Sequence, residues 1–168
     1  MAFRQNSRRD ARSALADAPE LPPLSRFIDA LRAEKTRFIV VGMTGAILQG
    51  APVTTFDVDL WIDLPPRQYM RMVNLARTLG AQMLANTVVV FPGDLTVNFI
   101  YEVSGLKSFS AELRHCRQLN WMGRRVAVLS LERIYVNKKA AGRPKDLAHL
   151  PILEQTMKVT ECVRASKP

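Results

Sequence analysis

The order of apolar and polar residues predicts alternating helices and strands. Apolar residues at helical spacing in 24–36 predict an amphipathic helix, and the unbroken apolar run Phe38–Val41 predicts a buried strand. Ser130 and Gly142 are typical of the start and end of a helix between them. The other predicted helices are 44–49, 67–79, 109–115, 131–141 and Pro144 to about Val159, and the other predicted strands are 56–62, 81–84, 87–91, 95–103, 117–121 and 125–129.

This succession predicts a mixed α/β (α+β) fold in which a mixed sheet is flanked by helices and two helices end the chain. At 168 residues the chain is long enough to bury one core, so we expect a single domain over residues 24–160. Residues 1–23, with Pro19, Pro22 and Pro23 near their end, are expected to form a flexible leader, and 161–168 a tail.

Composition and cysteine spacing favour a cytoplasmic location for the protein. No apolar run reaches the roughly 18 residues that a membrane-spanning helix needs, and the arginine-rich start has no apolar segment typical of a secretory signal. Cys116 and Cys162 have no metal-like or redox-like spacing, which favours free thiols in a reducing cytoplasm. The hydrophobic content of 48% is ordinary for a globular domain.

The net charge of +9 is unevenly distributed. Residues 38–106 carry three basic and five acidic side chains, whereas residues 107–168 carry thirteen basic and five acidic ones. A basic C-terminal third favours contact with a polyanion such as a nucleotide or RNA. A solvated basic surface is the other interpretation.

The candidate metal-binding residues are Asp57 and Asp59, on the predicted strand 56–62. Residues two apart on a strand point to the same side, so these two carboxylates should project together while Val58, Leu60 and Ile62 face the core. At a separation of about 7 Å along the strand, they can share one divalent cation or a close pair of cations. A surface pair of aspartates is the alternative.

The segment Phe38–Asp63 resembles the nucleotidyltransferase superfamily, whose fold is similar to that of DNA polymerase β. The likeness consists of Val41-Gly42-Met43-Thr44, Gly50, and Thr54-Thr55-Phe56-Asp57-Val58-Asp59-Leu60. The resemblance implies an NTP substrate such as ATP and a Mg²⁺ (or Mn²⁺) cofactor. Gly42, Met43 and Thr44 would then present backbone N–H groups to the triphosphate, while Asp57 and Asp59 hold the metal.

Residues 103–109 and 129–147 extend the likeness to a small prokaryotic branch that includes AbiEii-type toxins. The clearest part is Asn137-Lys138-Lys139, followed by Arg143-Pro144-Lys145-Asp146. The resemblance implies a catalytic role for Lys138 near the phosphates, with Lys139, Arg143 and Asp146 in the nucleotide site. It also implies transfer of NMP to an RNA, such as tRNA, or to a protein, in a toxin–antitoxin or phage-defence system.

Two positions depart from the family pattern. Met43 replaces the second Gly or Ser of the turn, which leaves Thr44 as the nearby hydroxyl. Asn98 stands where the third carboxylate of the metal site is expected, and an amide offers one oxygen but cannot act as a base. Glu102, on the same face of the predicted strand, should lie about 13 Å from Asn98, too far to substitute.

Other interpretations therefore stay open. A catalytically weakened member would bind a nucleotide, RNA or a partner protein, and a basic RNA-binding domain would need no metal. Lys138 is alternatively a solvated lysine, and Asp146 a residue that stabilises the first turn of the last helix. Trp61 is a packing residue or the border of a base pocket.

Overall fold

The computed structural model describes residues 22–166, so most of the predicted leader lies outside the described residues. The helices are α1 (Pro23–Ala33), α2 (Gly42–Ile47), α3 (Tyr69–Thr78), α4 (Phe109–Leu113), α5 (Leu131–Ala141) and α6 (Pro144–Ala165), with a 3-10 turn at Pro66–Gln68. The strands are β1 (Phe38–Val41), β2 (Asp57–Ile62), β3 (Gln82–Ala85), β4 (Val88–Phe91), β5 (Leu95–Ile100), β6 (Arg117–Trp121) and β7 (Arg124–Val128).

The seven strands form one mixed sheet in the order β3-β4-β5-β2-β1-β7-β6. The β2–β5 and β1–β7 pairs are parallel, and the other neighbours are antiparallel. The predicted mixed sheet flanked by helices is therefore confirmed. Two helices, α5 and α6, end the described chain as expected.

Helices cover both faces of the sheet, which explains the unbroken apolar run of β1. Phe38 and Val40 join the core beneath α1 and α3, whereas Ile39 and Val41 join the core beneath α2, α4, α5 and α6. On β2, the residues Val58, Leu60 and Ile62 lie in the first core, as their alternation with the aspartates predicted. The second face of β2 is thus free to carry Asp57 and Asp59.

Local signals set the ends of the helices. The Ser130 hydroxyl accepts a hydrogen bond from the Arg133 N–H, and Gly142 ends α5 in the left-handed conformation with φ of 64°, so the predicted bounds 131–141 are confirmed. Helix α6 begins at Pro144 as predicted but continues to Ala165, into the predicted tail. No Gly or Pro follows Pro151 before Ala165, and nothing else in that stretch breaks a helix. Among the described residues, no helix is both long and apolar enough to cross a membrane.

Candidate nucleotide and metal site

The register of the central strands brings the candidate carboxylates together. Asp59 pairs with Val41 on one side and with Asn98 on the other. The Thr44 hydroxyl donates to the Asp57 carbonyl over 2.8 Å, and the Asp57 N–H donates to the Thr55 hydroxyl over 3.2 Å. Asp57 and Asp59 line the same cleft of about 570 Å³, which confirms that they project to one side.

Gly42 is required by the close approach of α2 to Asp59. Its φ is +62°, and a Cβ placed on it would lie 2.1 Å from Asp59 Oδ2, well inside van der Waals contact. Only glycine combines this backbone conformation with the absence of a side chain. Gly42 therefore lets the carboxylate of Asp59 lie directly against the backbone at the start of α2.

Asn98, which the resemblance placed at the third position of the metal site, neighbours Asp59 on the adjacent strand. Its amide Nδ2 donates a hydrogen bond to Asp59 Oδ1 over 2.8 Å, so its amide nitrogen rather than its oxygen faces that carboxylate. Burial raises the pKa of Asp59, the hydrogen bond from Asn98 lowers it, and the negative charge of Asp57 raises it, with a net increase. Asp59 is partly desolvated and is repelled by the charge of Asp57, so a cation bound between them would stabilise both ionised carboxylates.

A buried ion pair between Lys138 and Asp146 lines the same cleft as Asp57 and Asp59. Lys138 Nζ lies 3.0 Å from Asp146 Oδ1, and Arg143 Nε donates to Asp146 Oδ2 over 2.5 Å. Lys138 is 7% exposed and Asp146 only 1%. Burial would raise the pKa of Asp146, but the hydrogen bonds from Arg143 and Lys138 lower it below its usual range. Asp146 therefore stays ionised, and its carboxylate holds the side chain of Lys138 in place.

The basic side chains act electrostatically on the carboxylates. The positive charges of Lys138 and Lys145 lower the pKa of Asp59, opposing the effect of its burial. The pKa of Arg143 is raised chiefly by its hydrogen bond to Asp146, with a smaller contribution from the charge of Asp59. All three basic residues line the same cleft as Asp57 and Asp59.

The side chains of three residues predicted to lie at the nucleotide do not line the cleft. Met43 and Thr44 are each 7% exposed, and Met43 packs into the core beneath α2. Lys139 is exposed on α5 but is not among the described residues that line the cleft, whereas Lys145 is. The structure thus brings together Gly42, Asp57, Asp59, Asn98, Lys138, Arg143 and Asp146, and not the side chains of Met43, Thr44 and Lys139.

The donor set fits Mg²⁺ bound together with phosphates. Mg²⁺ is usually held by one or two carboxylates plus substrate phosphates and water, and Asp57 and Asp59 provide that pair. Within residues 22–166, no group of three or more His, Cys, Asp and Glu side chains is arranged to hold a metal. Asn98, the third predicted metal ligand, lies beside this pair and donates its amide nitrogen to Asp59, which leaves its amide oxygen outside that hydrogen bond.

Sequence reasoning missed the segment after β5. Glu102, Val103 and Ser104 line the cleft, although a continued strand would have carried Glu102 away from it. Strand β5 ends at Ile100, and the segment that follows turns at Gly105, whose φ is +72°. The Ser104-Gly105 pair was the available signal for this turn.

Comparison with solved structures shows that the chain has the nucleotidyltransferase fold, which confirms the resemblance at the level of the fold. It is similar to the antibiotic-resistance factor ANT(2'')-Ia, with 14% identity over 86% of this chain and 90% of that chain and a TM-score of 0.56. It is also similar to the lincosamide antibiotic adenylyltransferase LnuA, solved with lincomycin, with 10% identity over 80% of this chain and 96% of that chain and a TM-score of 0.56.

A nucleotidyltransferase-like protein from Paracoccidioides brasiliensis shares 16% identity over 82% of this chain and 75% of that chain, with a TM-score of 0.53. No protein-family model and no curated protein matches the sequence. At these identities the likeness establishes the fold alone. The AbiEii-type branch stays a prediction.

Proposed function

We propose that the protein transfers a nucleoside monophosphate from an NTP to an acceptor hydroxyl, with Mg²⁺ or Mn²⁺ as cofactor. One observation carries this proposal: Asp57 and Asp59 line one cleft together with Lys138, Arg143 and Lys145. Its volume of about 570 Å³ lies within the roughly 300–1,000 Å³ of small-ligand sites. A cleft lined by both carboxylates and basic side chains suits a metal–triphosphate complex.

Each side chain has a distinct task in this proposal. Asp57 and Asp59 hold the cation, which when bound neutralises phosphate charge and polarises the α-phosphoryl group. Lys138 and Arg143, oriented by Asp146, bind the phosphate oxygens. Gly42 lets the backbone of α2 approach the carboxylates closely. The protein thereby aligns the acceptor, the α-phosphorus and the leaving pyrophosphate.

We also propose a class of acceptor, a biological system and a cellular compartment for this reaction. The basic C-terminal third supports RNA, tRNA included, and a protein acceptor in a toxin–antitoxin or phage-defence system is compatible with the same chemistry. LnuA and ANT(2'')-Ia, named for activity on or resistance to antibiotics, suggest a small hydroxylated molecule as a further acceptor. We place the reaction in the cytoplasm because Cys116 and Cys162 are both free thiols.

Incubation of the protein with α-labelled NTPs, Mg²⁺ and bulk tRNA, protein lysate or small hydroxylated compounds tests the proposal. Label should pass to one acceptor class, and Asp57→Ala should abolish the transfer. Asp94→Asn, in the turn between β4 and β5, is the control because Asp94 is an exposed aspartate outside the cleft and asparagine tolerates its φ of 60°. Absence of labelled product in every arm would contradict transfer.

A second candidate function is binding of a nucleotide, RNA or a partner protein without turnover. The hydrogen bond from Asn98 to Asp59 favours it, because an amide occupies the place of a third carboxylate. Asn98→Asp discriminates the two functions. Transfer that appears or rises sharply in this variant indicates a naturally weakened site, whereas transfer by the unmodified protein that falls on Asn98→Asp indicates a site adapted to the amide.

A further inference from the structure

Transfer to a hydroxyl requires a group that accepts the hydroxyl proton. Of the described residues lining the cleft, four carry carboxylates: Asp57, Asp59, Glu102 and Asp146. Asp146 forms ion pairs with Lys138 and Arg143, and Asp57 and Asp59 bind the cation in the proposed function. Glu102 is exposed and is therefore the carboxylate in the cleft that is available to an incoming acceptor.

The backbone around Glu102 is held from both sides. Trp61 Nε1 donates to the Tyr101 carbonyl over 3.1 Å, and Asn137 Nδ2 donates to the Ser104 carbonyl over 3.0 Å. Gly105 lies so close to α5 that a Cβ on it would be 2.6 Å from Ala140 Cβ. Contacts from β2 and from α5 thus fix the segment that carries Glu102, as a positioned catalytic group requires.

A second cavity, of about 310 Å³, adjoins the cleft at this segment. Glu102 and Val103 line both spaces, so Glu102 lies where they meet. Asp63, Lys107 and Ser108 add polar groups to the second cavity. Its size is at the lower end of small-ligand pockets, roughly 300 Å³, and its polar groups suit a hydroxyl-rich ring.

We propose that the second cavity binds the sugar ring that carries the acceptor hydroxyl and that Glu102 accepts its proton. The inference rests on the proposed function and assigns the acceptor side of the same site. The acceptor oxygen forms a bond to the α-phosphorus, the bond from that phosphorus to the bridging oxygen breaks, and pyrophosphate leaves. The proton of the hydroxyl passes to the Glu102 carboxylate, and the terminal ribose of RNA and a free glycoside share this chemistry.

Glu102→Gln tests the role of the carboxylate, with Glu161→Gln as the matched control on the exposed side of α6. Binding of a non-hydrolysable Mg–ATP analogue is measured by calorimetry, and transfer from labelled ATP is measured to tRNA, to a small glycoside and to water. We expect Glu102→Gln to lower kcat by about 100-fold or more, typical of a lost general base, with the analogue affinity within about twofold of the unmodified protein. Glu161→Gln should leave both values unchanged.

Ser108→Trp tests the cavity, since its larger side chain would fill part of the space that Glu102 also lines. It should raise the KM for tRNA or for the glycoside, whichever is the acceptor, by more than it changes the affinity for the analogue. Equal kcat values for Glu102→Gln and the unmodified protein, or nucleotide binding without any transfer by the unmodified protein, would overturn the inference. Failure of the unmodified protein to bind the analogue would instead overturn the proposed function on which it rests.

Discussion

At the scale of the residue, Gly42 is the position where the smallest change should have the largest effect. Gly42→Ala introduces both a strained positive φ, at about 1–2 kcal/mol, and a Cβ 2.1 Å from Asp59 Oδ2. Gly123→Ala is the matched control, because Gly123 has a φ of +75° but open space around its Cβ position. Urea unfolding should show a larger loss of stability for Gly42→Ala, and Mg²⁺ binding should weaken in that variant alone. Equal losses in both variants would contradict the close approach.

Asn98 offers a test of the metal site that does not depend on catalysis. Asn98→Asp replaces a hydrogen bond to Asp59 with a further negative charge beside Asp57 and Asp59, which should destabilise the folded protein without Mg²⁺. The melting temperature should fall by about 2–4 °C for each kcal/mol of lost stability. Added Mg²⁺ should then stabilise Asn98→Asp more than the unmodified protein, because binding to the folded state adds stability. Asn98→Ala controls for the lost hydrogen bond. An equal Mg²⁺ response in the aspartate and alanine variants would show that position 98 does not face the cation.

At the scale of the element, Asp146 joins α5 to α6 through Lys138. Asp146→Asn leaves Lys138 buried without its counter-charge, a change that typically costs about 3–5 kcal/mol. The pKa of Asp146 is lowered on folding, so its stabilising contribution is present above its unfolded pKa of about 3.9 and is lost as the pH falls through its lower folded pKa. The deficit of Asp146→Asn in urea unfolding should therefore be full at pH 7 and shrink below about pH 4.

The double variant Lys138→Met/Asp146→Leu is the control for that experiment. It replaces the buried ion pair with apolar side chains, which is often neutral for stability. It should recover much of the stability lost in Asp146→Asn while losing nucleotide binding. A deficit of Asp146→Asn that is the same at every pH would contradict a charged Asp146.

Glu112 ties α4 and the preceding loop to α5. Its carboxylate, 2% exposed, accepts hydrogen bonds from Arg133 Nε over 2.8 Å and from the Lys107 N–H over 3.0 Å, and the Arg133 bonds lower its pKa. Glu112→Ala should cost about 1.5–3 kcal/mol, because Arg133 is partly exposed and can be solvated once unpaired, and it should speed amide exchange at Lys107. The matched control is Glu34→Ala, which breaks an exposed pair with Arg71 and should cost at most about 1 kcal/mol. Similar losses for the two alanine variants would contradict this difference.

Elements with complete local signals were predictable from the sequence, and contacts made by non-local packing were not. Ser130 and Gly142 set the bounds of α5, and the alternation around Asp57 and Asp59 set their common side. Glu102 lines the cleft on a segment where Gly105 packs closely against α5, and no periodicity encodes that packing. Thr44 is a second example of a contact that the sequence did not predict: its hydroxyl donates to the Asp57 carbonyl, and Thr44 does not line the cleft.

At the scale of the whole molecule, charge asymmetry predicts how the protein should bind RNA. Affinity for tRNA should fall steeply between 50 and 200 mM salt, because bound Lys and Arg side chains release counterions. Lys145→Ala, beside the cleft, should reduce the salt slope by roughly 0.7–0.9, whereas Arg77→Ala, on α3 across the sheet, should not. Binding unaffected by salt would contradict RNA as a partner. RNA binding that ignores both Mg²⁺ and Asp57→Ala would support a metal-free RNA-binding domain.

The register that pairs Val41, Asp59 and Asn98 across three strands also has an evolutionary consequence. Because Gly42 and Asn98 both contact the carboxylate of Asp59, selection cannot act on these positions separately. Homologues that carry an acid at position 98 should retain glycine at 42 and aspartate at 59, whereas lineages that lose Asp59 should be released from the glycine. Covariation among these three positions would then separate lineages that keep the transfer chemistry from those that keep only the scaffold.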